Sequence, residues 1–160
     1  MPELQLLRLD HAPAMLAFEL ENRAYFAAAV PDRGDAYFAE FDERHRELLT
    51  WQADGTDLYH VLVQADGAIV GRVNLFEVAD GSADLGYRMA ERATGRGLAT
   101  AAVRQVCALA VAPYGLTELR AAARAENVGS RTVLVRTGFV PVGEVELNGR
   151  PGISYRLELT

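Results

Sequence analysis

The stretch Glu91–Thr100 reads ERATGRGLAT. It sets Gly95 and Gly97 on either side of Arg96, with Arg92 three residues before the first glycine. An alternating apolar segment precedes it and a helical one follows. A helix N-terminus presents N–H groups without intrahelical partners and the positive end of the helix dipole. Glycines there let the backbone approach a phosphate with no Cβ in the way. Arg92 and Arg96 add guanidinium forks suited to pyrophosphate. The chemistry expected of this turn is the gripping of a phosphate-bearing ligand.

Two phosphate motifs fit poorly. A dinucleotide turn needs G-x-G-x-x-G after a first strand and an acidic residue about 20 positions on. Here Thr100 stands at the third glycine, and Glu126 lies 31 residues past Gly95. A P-loop needs Lys after its last glycine, and this chain has no lysine.

The elements that must hold the turn follow from periodicity. LQLLRL reads as a first strand. His11 to Tyr25 and Asp35 to Gln52 carry apolar residues at helical spacing. LYHVLVQA, AIVGRVNLFEVA and SADLGYRMA alternate, with Asp66-Gly67 and Asp80-Gly81 as hairpin turns between them. Gly95 to Tyr114 is expected to be helical, GLTELRAAARA a strand, and Asn127 to Thr137 a helix closed by Gly138. FVPVGEVEL and ISYRLEL flank a third hairpin signal, Asn148-Gly149. The strands on either side of the glycine-turn helix form a β-α-β unit and hence a parallel pair. The reading is one α+β domain over residues 1–160, with about four helices and a mixed, mostly antiparallel sheet of about seven strands.

Composition narrows the class. Half the residues are apolar and the single cysteine, Cys107, excludes an intrachain disulfide. No apolar run approaches the ~18 residues of a membrane span, and the N-terminus lacks a signal-peptide pattern. A cytoplasmic protein is expected, with no membrane partner. The net charge of −6 divides into −9 over residues 1–80 and +3 over residues 81–160. That asymmetry fits an anionic ligand on the second half and a cationic or neutral one on the first, or ordinary solvated surface. No basic cluster argues for nucleic acid, and His11, His45 and His60 have no metal-ligand spacing.

Arg92-x-x-Gly95-x-Gly97-Leu98-Ala99 resembles the pyrophosphate loop of the GNAT acetyltransferase superfamily, Q/R-x-x-G-x-G/A. Asn127-x-x-Ser130 followed by Gly138-Phe139 resembles that superfamily's next helix, and ADLGYRMAE its fourth strand. The likeness is greatest to the ribosomal-protein N-terminal acetyltransferase type. It implies acetyl-CoA as cofactor, an amine as acceptor, and a sheet splayed between its fourth and fifth strands where the pantetheine lies like an extra strand. A non-catalytic acetyl-CoA-binding module of the same fold is the alternative. Relatives often pair as homodimers.

Carried over residue by residue, the resemblance gives the backbone of Tyr87, Arg88 and Met89 to the pantetheine. It gives a backbone N–H near Met89 to the thioester carbonyl. The backbone from Gly95 to Ala99, including Arg96, Gly97 and Leu98, would hold the pyrophosphate with Arg92, and Asn127 would bind the cofactor further along. The tyrosine that many relatives use as an acid is replaced here by Leu134. Ser130 is the substitute donor to the leaving thiolate, or else a helix cap. Asp84, Glu144 and Glu146 are candidate bases. Asn22, Arg23 and Phe26 are candidate acceptor contacts, since the N-terminal helices cover the acceptor side in this superfamily. A lysine-like amine costs about 4.6 kcal/mol to deprotonate at neutral pH and an α-amine about 1.4 kcal/mol. The first needs a base, while the second hardly does.

Overall fold

Three tight turns decide where the sheet reverses. Asp80 and Gly81 have φ of 51° and 79°, and Asn148 and Gly149 have φ of 52° and 77°. Two successive left-handed residues match the twist of a two-residue hairpin, which is why these pairs are Asx-Gly. At the third turn Gly67 is left-handed at 89° and the Asp66 carboxylate accepts from the Ala68 N–H.

The computed structural model describes residues 1–160. Its strands are β1 (Glu3–Leu6), β2 (Leu58–Val63), β3 (Ile69–Ala79), β4 (Ser82–Met89), β5 (Glu118–Arg124), β6 (Val140–Leu147) and β7 (Arg150–Glu158). They form one sheet in the order β1-β2-β3-β4-β5-β7-β6. All neighbours are antiparallel except β4 and β5. The α+β reading and its parallel pair are met.

The helices number six rather than about four: α1 (Ala12–Glu21), α2 (Arg23–Ala27), α3 (Asp35–Ala39), α4 (Phe41–Ala53), α5 (Leu98–Val111) and α6 (Val128–Arg136). Each expected N-terminal helix is broken once, at Asn22 (φ −105°, ψ 10°) and at Glu40 (φ −107°, ψ 23°). Asn22 breaks the first because its side-chain amide donates to the Phe18 carbonyl, a group the helix itself uses. The second break turns Tyr37 and Phe41 edge to face at 5.6 Å, and both are buried. The glycine-turn helix is shorter than expected and starts at Leu98, after both glycines.

The core lies on both faces of the sheet. Met15 and Phe18 of α1 cover one face, and Ala102, Val103, Val106 and Ala110 of α5 cover the other. Spacing of three and four residues puts those α5 side chains on one stripe. The crossover β4-α5-β5 therefore lays α5 against the sheet and aims its N-terminus at the C-terminal end of β4.

Candidate active site

β4 supplies the first wall. Ala90 N donates to Val70 O at 2.9 Å. Alternation along the antiparallel ladder then makes Arg72–Arg88 and Asn74–Gly86 the hydrogen-bonded pairs. The backbone N–H and C=O groups of Tyr87 and Met89 point the other way, toward β5. Yet β5 pairs with β4 only at Ser82–Glu118, Ala83–Leu119 and Asp84–Arg120. Past Asp84 the two strands part, and Tyr87 and Met89 face a gap with their backbone groups unpaired. The gap opens into a cleft of about 850 Å³, a size suited to a cofactor-sized ligand.

The glycine turn closes one end of that cleft. Gly95 and Gly97 are left-handed, at φ 76° and 74°, and Gly97 is the N-cap of α5. No backbone N–H from Gly95 to Thr100 has a hydrogen-bond partner within the protein. A Cβ placed on either glycine would meet nothing within 4 Å. The space above these amides is open, and together with the dipole of α5 they form an anion nest. The two arginines of the motif do not line it. Arg96 Nη2 donates back to the Arg92 carbonyl at 2.7 Å, and Arg92 pairs with Glu21 at 3.4 Å on the exposed flank.

α6 supplies the opposite wall. Asn127 Oδ1 accepts from Ser130 N at 3.1 Å, so the cap of this helix is Asn127. The Ser130 hydroxyl bonds no backbone group and lies on the cleft beside the Tyr87 phenol. Burial raises the Tyr87 pKa, and the Ser130 hydroxyl pulls it part of the way back. Leu134, one turn further on, is fully buried in the core. The sequence had offered Tyr87 for its backbone alone. Its side chain meets Ser130 only because β4 and α6, 43 residues apart, border the same gap.

The third wall comes from α2 and the segment after it. Phe26 is buried at the cleft, 5.5 Å from Phe18, with the Arg88 guanidinium 4.8 Å from its ring centre. Two other expected acceptor contacts are spent on the fold. Asn22 is buried, and its Oδ1 accepts from Glu91 N at 3.0 Å, tying α1 to the start of the glycine segment. Arg23 bonds Asp32 and Asp35, each at 2.8 Å, and lies 4.4 Å over Phe38.

The candidate bases are not brought to the cleft. Asp84 stands where the strands part, paired to Arg120 at 2.9 Å. Glu144 and Glu146 are exposed on β6, the edge strand, with β7 between them and β5. The carboxylate that does line the cleft is Glu126, which lies 3.9 Å from Arg124 and 3.8 Å from Arg150.

A sheet split beside a bare helix N-terminus, with unpaired strand backbone leading away from it, defines a protein that takes an extended, phosphate-bearing ligand. The chain belongs to the GNAT acetyltransferase family: the family model described as "Acetyltransferase (GNAT) domain" matches residues 3–140. It is 29% identical over 154 residues to the probable N-acetyltransferase YjcK of Bacillus subtilis (strain 168), covering 89% of this chain and 84% of that one. The ribosomal-protein-S5-alanine acetyltransferase of Vibrio fischeri superposes with a TM-score of 0.91 at 23% identity, over 97% of this chain and 91% of the other. RimJ of Mycobacterium smegmatis, solved with CoA-disulfide, superposes with a TM-score of 0.86 at 25% identity, over 97% and 80%.

Proposed function

We propose that this protein moves an acetyl group from acetyl-CoA to a primary amine, a peptide N-terminus or a small-molecule amine, by direct attack within a ternary complex. One observation carries the reading. The unpartnered amides from Gly95 to Thr100 open onto the same cleft as the unpaired backbone of Tyr87 and Met89. The CoA-bound structure of the RimJ relative supports it.

Bound acetyl-CoA supplies an activated thioester. The amides of Gly95 to Ala99 hold its pyrophosphate, aided by the dipole of α5. The backbone groups of Tyr87 and Met89 pair with the pantetheine as an added strand, whereas those of Arg88 are spent on Arg72 of β3. The Met89 N–H polarises the thioester carbonyl and stabilises the negative charge that develops there. Asn127 holds the donor through its Nδ2, which is free because Oδ1 does the capping. Ser130 Oγ donates to the departing sulfur, and the Tyr87 phenol beside it fixes its orientation.

With Asp84, Glu144 and Glu146 away from the cleft, and Glu126 held between Arg124 and Arg150, the acceptor must shed its proton with little help. The acceptors favoured are therefore α-amines, or others of pKa near 8, over lysine-like side chains. The deprotonation cost alone separates the two by about 3 kcal/mol, roughly a hundredfold in rate. The test is CoA release, read with a thiol reagent, for matched peptides: one with a free N-terminus and a blocked lysine, the other reversed. Burial pushes the Cys107 thiol up to about 11, and a blank without acceptor subtracts whatever this single thiol contributes. Faster release with the free N-terminus is expected. Equal rates would mean that the pocket supplies a base. Donor binding without turnover on any amine would reduce the protein to a binding module.

A further inference from the structure

Glu19 of α1 is a fully buried carboxylate surrounded by three guanidiniums. Arg72 Nη1 reaches its Oε2 at 2.8 Å, Arg33 Nε its Oε1 at 2.9 Å, and Arg88 Nη1 its Oε1 at 3.2 Å. The nearby carboxylates, Asp32 and Asp35, are taken by Arg23. Four arginines thus share three carboxylates, leaving one positive charge in excess. Arg72 is buried and has no route to a ligand. Arg88 does: it borders the cleft, its guanidinium lies on the Phe26 ring, and it makes one hydrogen bond, to Glu19. The rest of its five N–H donors have no partner in the protein.

The strand fixes which ligand those donors can meet. Successive side chains of β4 point to opposite faces. Tyr87 points to Ser130, on the face of α5 and α6 where the phosphate nest lies, and Arg88 points to α1 and α2. The spare donors of Arg88 therefore face the acceptor side, away from the nest. A half-buried cation with spare donors on a cleft is a ready partner for an anion, and a planar guanidinium matches a carboxylate in bidentate fashion. Burial, and then the charge of Arg33, already hold the Arg88 pKa below the usual arginine range. A carboxylate would offset the charge of Arg33.

We propose that Arg88 binds a carboxylate of the acceptor, so that the preferred substrates are amines carrying a carboxylate a few bonds from the nucleophilic nitrogen. This rests on the acetyl-transfer reading and adds the substrate class. The test uses C-terminally amidated peptides that differ only in their first residue, Asp against Asn and Glu against Gln. The acid member of at least one pair should have a kcat/KM about tenfold or more higher, through KM. Arg88→Gln should erase that preference while leaving acetyl-CoA affinity within about twofold. Arg88→Lys, which keeps the charge and loses the fork, should retain part of it. The same peptides titrated calorimetrically into the CoA-loaded protein should show the same order of affinity, which answers the question even where no acceptor turns over. Equal binding of acid and amide by the parent protein would overturn the proposal. So would an Arg88→Gln variant that weakens both members alike, or that weakens acetyl-CoA instead.

Discussion

Ser130 could cap α6 or serve the departing thiolate, and the two uses predict different variants. Because Asn127 Oδ1 already accepts the Ser130 N–H, removing the hydroxyl removes no cap. Ser130→Ala should leave the melting temperature nearly unchanged, within about 0.5 kcal/mol of stability. It should lower kcat about tenfold or more with little change in the KM for acetyl-CoA, since the contact forms mainly in the transition state. Asn127→Ala should do the converse to the fold and cost about 1 kcal/mol. Thermal melts and steady-state kinetics on the two variants separate the roles, and an unchanged kcat in Ser130→Ala removes it from the mechanism. Single residues were legible in the sequence where their partners are close along the chain, as with Asn127 and Ser130. They were not where the partner is distant. Nothing local in FELEN marks Glu19 as the shared partner of Arg33, Arg72 and Arg88, the last of them 69 residues away. Glu144 and Glu146 are candidate bases through the family resemblance, and no local pattern reveals that β7 separates their strand from β5.

The N-terminal end of α5 is the element on which donor binding depends. Its binding groups are backbone amides, so no side-chain deletion can test it, and the variant must fill space instead. Gly97 sits at φ 74° with open space around it. Asn tolerates that left-handed conformation, whereas a β-branched residue is strained there. Gly97→Asn should fold with a melting temperature close to that of the parent and bind acetyl-CoA about tenfold or more weakly, because its side chain enters the space above the amides. Gly97→Val should lose both affinity and stability. Calorimetry showing full affinity in folded Gly97→Asn would move the phosphate site elsewhere. This element could be read in advance because a glycine turn, a helix start and a β-α-β crossover are all local patterns. The breaks at Asn22 and Glu40 could not: the Glu91 N–H that fixes the other end of the Asn22 amide lies far along the chain, and helical spacing alone does not show that Tyr37 and Phe41 turn edge to face in the core.

Across the whole molecule, local pairing overrides the charge asymmetry between the two halves. Glu19, Asp32 and Asp35 of the acidic first half are each paired with an arginine, and Arg88, the arginine beside Phe26 on the cleft, comes from the second half. Histidines make the fold as a whole sensitive to mild acid. His60 lies fully buried between the sheet and the residues after α5, with Nδ1 3.0 Å from the Val73 carbonyl and Nε2 2.7 Å from the Tyr114 hydroxyl. The neutral ring suits both: Nδ1–H donates to the carbonyl and Nε2 accepts from the phenol. Burial lowers the His60 pKa, against a smaller opposing effect of the Val73 carbonyl. Burial and the charge of Arg8 lower that of His11 as well. In the unfolded chain both titrate near 6.5. Above that pH neither state is protonated and stability is insensitive to pH. As pH falls through the unfolded value, the unfolded chain takes up protons that the native state refuses, and stability declines until the native pKa is reached. The slope is at most about 1.4 kcal/mol per pH unit for each histidine. For Glu19, burial acts to raise the pKa, but the charges and hydrogen bonds of Arg72 and Arg33 outweigh it, and the net shift is downward. Its contribution is lost only in the carboxylate range, below the window of the histidines. Urea unfolding between about pH 7 and about pH 5 should therefore show falling stability. His60→Gln should start lower at neutral pH, having lost two buried hydrogen bonds, and decline less steeply. Equal slopes in parent and variant would show that native His60 accepts a proton as readily as the unfolded chain does, and would remove it as a source of acid sensitivity.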